Sequence, residues 1–156
     1  MINRRHIRLK VMQYLYSFQF IEYEDTKVHK KYFNDCFSSV NSLFIMLVSL
    51  IIELQNKSQK QLNISKRSIS GIQNKKYLSK NFSQNLLIKN WLNDPIIFEK
   101  IANNNIVNWD INFKLIDNLY NEIINSDVYD KYILTEKSSF EIDKKFVSSI
   151  FSEIII

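Results

Sequence analysis

A chain of 156 residues with 46% hydrophobic and 13% aromatic content is long enough for one buried core and too apolar for a disordered segment. One glycine and one proline are too few for the turns of a β-rich domain, and a lone cysteine, Cys36, excludes an internal disulfide and fits a reducing compartment. The net charge of +5 is uneven: residues 1–80 carry 14 Lys/Arg against 5 Asp/Glu (+9), and residues 81–156 carry 7 against 11 (−4). Either one end of the chain attracts polyanions, or the unevenness only reflects solvated faces.

In chain order, Asn3 is an acceptable N-cap for a first helix. At about 100° per residue, Ile7, Val11, Tyr14, Leu15 and Phe18 fall on one side, and Leu9, Met12, Tyr16 and Phe20 on the other. That pattern predicts a helix sandwiched between neighbours. Its first two turns also carry Arg4, Arg5, Arg8 and Lys10. Positive charge there opposes the helix macrodipole by roughly a few tenths of a kcal/mol, so the helix itself gains nothing from these residues.

Asp25 or Thr26 caps a second, long helix whose stripe runs Phe33, Phe37, Val40, Phe44, Leu47, Ile51, Leu54. Steps of four and three suit helix-on-helix packing and predict a central core helix reaching about Gln59. Its most apolar run, "LFIMLVSLII" from Leu43 to Ile52, is shorter than the ~18–20 residues that cross a bilayer, so a buried helix is expected. The basic, weakly periodic region around 60–80, with Gly71, predicts a mobile loop.

Asn81 with Gln84 has capping-box spacing for a third helix that ends before Pro95. A short helix from Ile96 to about Ala102, a loop "NNNIVNW", and a helix capped by Asp110 with Phe113, Ile116, Leu119, Tyr120 and Ile123 follow. Ser126 caps a brief helix through Tyr132, and Ser138 with Glu141 opens a last one with Ile142, Phe146, Ile150 and Ile154 on one side. The closing isoleucines either pack back into the domain or lead towards a further bundle. The expected architecture is a single all-α domain over 1–156, a helical bundle with a long central helix. No secretory leader is expected, because no apolar segment with a cleavage site follows the basic start.

Several chemistries lack their residues. One glycine cannot build a phosphate-cradling loop, and His6, His29 and Cys36 have no metal-ligand spacing. Cys36 reads as a small core residue and His29 as a surface one. Asp127 with Asp130, and Lys114 with Asp117, read as solvated helix faces rather than acid–base pairs. Trp91 and Trp109 read as anchors of helix ends against the core more than as base-stacking groups. No catalytic residues, metal or cofactor are expected.

Arg4, Arg5 and Arg8 fall within about 100° of one another on a helix, so they project to one broad side, while Lys10 points elsewhere and serves only a flank. Guanidinium groups hold phosphates in bidentate geometry and stack on bases. RNA binding and a solvated basic helix end are the two readings of this spacing.

The stretch "NRRHIRLKVMQYLYSF" resembles the N-terminal arginine-rich helix of the bacterial transcription antitermination factor NusB family. Arg4, Arg5 and Arg8 match its basic positions, His6 stands where a further basic residue is common, and Gln13, Leu15 and Tyr16 match its closing Gln-x-Leu-Tyr. "LYNEIINSDVYDKYI" and "SSFEIDKKFVSSIFSEII" resemble the middle of the family's long variant. The resemblance implies an all-helical fold and a non-enzymatic, cytoplasmic factor. Such factors bind the box A element of nascent ribosomal RNA with a small-subunit ribosomal protein that doubles as an elongation factor, and join the transcribing RNA polymerase. RNA would be held by Arg4, Arg5 and Arg8, assisted by Lys10 and His6, with Gln13 and Tyr16 locking the helix into the bundle. The family's second bundle, with its Asn-Glu-Ala-Val-x-Leu-Ala-like helix, has no counterpart here, so the chain resembles the front part of such a protein. The alternatives are a remnant helical protein-interaction module that no longer binds RNA, and the helical front of a ribosomal RNA cytosine methyltransferase. A membrane-surface role ranks lower, because the basic helix lacks one clean apolar face.

Overall fold

The computed structural model describes residues 4–18, 26–67, 82–104, 108–135 and 139–155. The fold is all-α: among the described residues there are seven α-helices, a closing π-helical turn and no strand. The helices are α1 (Arg4–Phe18), α2 (Thr26–Arg67), α3 (Leu86–Asn93), α4 (Pro95–Asn104), α5 (Phe113–Ile124), α6 (Asp127–Ile133) and α7 (Phe140–Ile150), with the π turn at Phe151–Ile155. The chain divides into two compact units, Met1–Ser39 and Val40–Ile156.

In the first unit α1 meets the start of α2 through aromatic rings. Tyr14 lies 4.9 Å from both Tyr32 and Phe33 between ring centroids. Among the described residues of this unit only Lys10, Tyr14, Phe33, Cys36 and Phe37 are half-buried, and none is fully buried. The expected sandwiching of α1 is therefore corrected. Leu9, Met12, Leu15 and Tyr16 are 55%, 66%, 56% and 67% exposed, because the contact with α2 covers only the arc around Tyr14. The side chain of His29 lies outside the described residues.

The second unit holds the core. Leu50, Ile51 and Leu54 of α2 pack with Phe82, with Ile88 of α3, with Ile116, Tyr120, Ile123 and Ile124 of α5, and with Tyr129, Tyr132, Phe146, Val147 and Ile150. Trp91 and Trp109 are half-buried against this cluster, as are Ile154 and Ile155, so those terminal isoleucines pack back. The Trp109 indole donates to Ser49 Oγ at 3.2 Å and ties the turn before α5 to α2.

Two expectations for α2 need correction. Val40 and Phe44 of the anticipated stripe are 46% and 51% exposed, while Ile45 and Val48 are buried and the stripe rejoins the core only at Ile51 and Leu54. The run Leu43–Ile52 is apolar nearly all round, so periodicity cannot choose its inner face. The helix also continues past Gln59 to Arg67, through the first part of the expected loop. Buried Leu62 holds these extra turns, and Gln59 Nε2 donates to Asn63 Oδ1 one turn on. Residues 68–81, including Gly71, lie outside the described residues. By length and composition α2 contains a segment within Lys30–Ile64 apolar enough to cross a membrane, with mean hydropathy 1.9, which the ten-residue run alone did not reveal. Of that segment 28% is buried inside the structure, and Ile45, Val48, Leu50, Ile51 and Leu54 are buried residues of α2.

Helix ends follow local chemistry. Pro95 opens α4, where its missing N–H is not needed, and Asp94 Oδ1 accepts from Ile96 N at 2.9 Å. Ser126 caps α6 as expected, accepting from Tyr129 N. The last cap is Ser139, one residue beyond Ser138, and accepts from Ile142 N. α3 is capped by Asn85 and α5 begins after Asn112, in place of the expected Asn81 and Asp110.

Candidate nucleic-acid interface

The site is built on α1. With residues 4–18 helical, Arg8 sits one turn above Arg4, roughly 40° around the axis, and Arg5 completes an arc of about 100°. All three are exposed. Arg4 and Arg8 have no ion-pair partner among the described residues, whereas Arg5 is not free. No acidic residue occupies the first turn of α1, so the guanidinium groups of Arg4 and Arg8 add to the positive helix end.

His6 and Lys10 are not brought to this arc. Each lies roughly 160° or more from Arg8 around the helix, and Lys10 is half-buried on the side of Tyr14. Gln13 and Tyr16, expected to lock the helix, are exposed, and Tyr16 is not without a partner. Among the described residues Tyr14 supplies a ring that joins α1 to α2, and periodicity placed it on an apolar side without distinguishing it from Val11 or Leu15. Met12 and Tyr16 share the arginine side, so the outward surface of α1 is basic in its first turns and apolar-aromatic in its last. Nearby on α2, Lys30 and Lys31 are exposed, and Cys36, half-buried beside Tyr32, raises the tyrosine hydroxyl above its ordinary range through a hydrogen bond and its charge.

The polar cluster that the sequence did not announce lies in the second unit. Asp143 of α7 is fully buried. Its Oδ1 accepts from the Tyr132 hydroxyl at 2.7 Å and its Oδ2 from Leu86 N, also at 2.7 Å, so it stabilises the N-terminus of α3. Buried Asn85 accepts from Ile88 N and donates to Tyr132 Oη and to the Asp143 carbonyl. Burial, and then the Asp143 carboxylate, push the Tyr132 hydroxyl well above the usual tyrosine range. The Tyr132 ring stacks on Phe146 at 3.9 Å. With Asp143 and Asn85 fully buried and their hydrogen bonds made within the fold, the cluster clamps α3, α6 and α7 together. The signal for it was a carboxylate on the apolar face of α7, in register with Phe146 and Ile150.

Other candidate pairs are structural. Asp117 joins Lys57 of α2 at 2.7 Å instead of serving only as the mate of Lys114. Asp127 and Asp130 occupy the first turn of α6, where acidic side chains suit the helix dipole. Among the described residues no three His, Cys, Asp or Glu side chains come together as a metal site. No family model, no curated protein and no solved structure matches the chain.

Proposed function

We propose that the protein is a non-enzymatic, cytoplasmic RNA-binding factor of transcription antitermination, resembling the NusB family. In this reading it takes a box A-like element of nascent RNA on α1 and works with a small-subunit ribosomal protein at the transcribing polymerase. The observation that carries the reading is the placement of Arg4 and Arg8 on one open side of a helix end, within the segment whose residues match the family's arginine-rich motif. Arg4 and Arg8 would hold adjacent phosphates, Arg5 would join them at the edge of the arc, and His6 and Lys10 would contribute only from the flanks.

Each phosphate contact to a single strand releases counterions and gives a log–log salt slope of about −0.7. Three arginine contacts thus predict a slope near −2 for a box A-like oligonucleotide. Arg4→Ala with Arg8→Ala should weaken binding and flatten the slope towards about −0.7. Binding that ignores both salt and these substitutions would remove the reading. A second reading, a helical protein-interaction module that no longer binds RNA, draws on the exposure of Leu9, Met12, Leu15 and Tyr16. It predicts no mobility shift with RNA and loss of a protein partner on Met12→Lys.

A further inference from the structure

Independently of the RNA reading, the second unit contains a cavity of about 430 Å³ between α6 and α7. Its described walls repeat one order of residue types. Val128, Lys131, Tyr132 and, just past the helix end, Thr135 come from the α6 side, and Ile142, Lys145, Phe146 and Ser149 come from α7. Each set reads apolar, lysine, aromatic, hydroxyl at steps i, i+3, i+4 and i+7, the spacing that gathers side chains on one helix face. Glu153 of the closing π turn completes the lining.

Size, lining and charge select the ligand. The volume falls in the range of roughly 300–1,000 Å³ typical of small-molecule sites. Tyr132 and Phe146 are buried and stack on each other at 3.9 Å with 4° between their planes, so their edges and the half-buried Val128 and Ile142 form an apolar base. Lys131 and Lys145 are exposed, and each sits one residue before one of the stacked rings. Neither has an ion-pair partner among the described residues. The Thr135 hydroxyl is already engaged, donating to the Lys131 carbonyl at 3.0 Å, whereas the Ser149 hydroxyl has no hydrogen-bond partner among the described residues. Two ammonium groups against the single Glu153 carboxylate leave the described lining positive, which disfavours a cation and attracts an anion. An inorganic anion would leave the apolar base uncovered, and a neutral apolar molecule would leave the lysines unused. We propose that this cavity binds a small amphipathic organic anion. Its flat apolar body rests on Val128, Ile142 and the ring edges, and its carboxylate or phosphate head is held by Lys131 and Lys145 and accepts a hydrogen bond from Ser149.

Titration of the full chain with 2-naphthoate and with 2-naphthyl phosphate, followed by amide chemical shifts, tests this and tells the two head groups apart. The expected result is saturable binding of at least one of them, with the shifted amides concentrated in α6 and α7. Neutral 2-naphthylmethanol and inorganic phosphate alone should each bind about tenfold more weakly, because each lacks one half of the recognised chemistry. Lys131→Gln and Lys145→Gln, both at exposed positions, should each weaken binding by about threefold and together by about tenfold, with unchanged helical circular dichroism. Glu153→Gln should tighten it by about twofold, since a like charge leaves the rim. No saturable binding of either anion overturns the proposal. So does binding that is indifferent to the double lysine substitution, that is equal for the neutral alcohol, or that is tighter for 2-naphthylmethylammonium.

Discussion

The two units of this chain use similar helices to opposite ends. Residues 40–156 enclose a continuous cluster in which Ile51, Leu54, Ile88, Ile123 and Ile150 are fully buried, and they hide a carboxylate bonded by Tyr132 and by the start of α3. Residues 1–39 bury none of their described side chains completely and rest on a few aromatic contacts around Tyr14. Amide exchange and unfolding free energy follow buried apolar contacts, so stability belongs to the second unit and exposed surface to the first. A helix released from core duty can carry arginines where the macrodipole disfavours them.

The sharpest way to break this contrast is Asp143→Ala. It leaves the buried Tyr132 hydroxyl and the part-buried Leu86 N–H without an acceptor, worth about 1–3 kcal/mol for the first and less for the second, and chemical denaturation should register a loss of about 3 kcal/mol. Alkaline pH attacks the same cluster more gently. Tyr132 titrates higher in the folded chain than in the unfolded one, so its contribution is complete below the unfolded value of about 10 and declines as pH rises beyond it. The slope from this one group is at most about 1.4 kcal/mol per pH unit, and Tyr132→Phe should remove that component from the pH dependence.

In the first unit, Tyr14→Ala should speed amide exchange throughout α1 while shifting the main unfolding transition by less than about 1 kcal/mol. A shift as large as that of Asp143→Ala would show that the two units share one cooperative core. Breaking the Lys57–Asp117 pair with Asp117→Ala should cost under about 1 kcal/mol and lose its effect in high salt, since Asp117 is 43% exposed. Smallest of all, Arg4→Ala and Arg8→Ala should change stability by no more than about 0.5 kcal/mol, so that a loss of RNA binding, if the proposed function holds, is separable from unfolding.

Much of the fold was legible because the signals are local. Ser126 ahead of the apolar residues Val128, Tyr129 and Tyr132, Pro95 after α3, and the face Ile142–Phe146–Ile150 all act within one or two helical turns. Adjacent serines at 138 and 139 offered two equivalent caps, and the sequence could not choose between them. The arc of Arg4, Arg5 and Arg8 was equally readable, since it needs only the helical repeat. Tyr16 was misplaced for the opposite reason: whether an apolar side chain on a two-sided helix is covered depends on how many neighbours that helix has. Asp143 escaped notice because its partners sit on other helices, Tyr132 on α6 and Leu86 at the start of α3.

By itself, then, the sequence determined an all-helical chain, the order of its helices and the basic start of the first one, all consequences of propensity, capping and the 3.6-residue repeat. The tertiary structure decided which side of α2 faces inward, that α1 is covered along only one arc, and that the Asp143 carboxylate meets Leu86 N, 57 positions earlier in the chain. Those outcomes rest on contacts between distant segments competing for the same buried volume, and no local pattern encodes who wins.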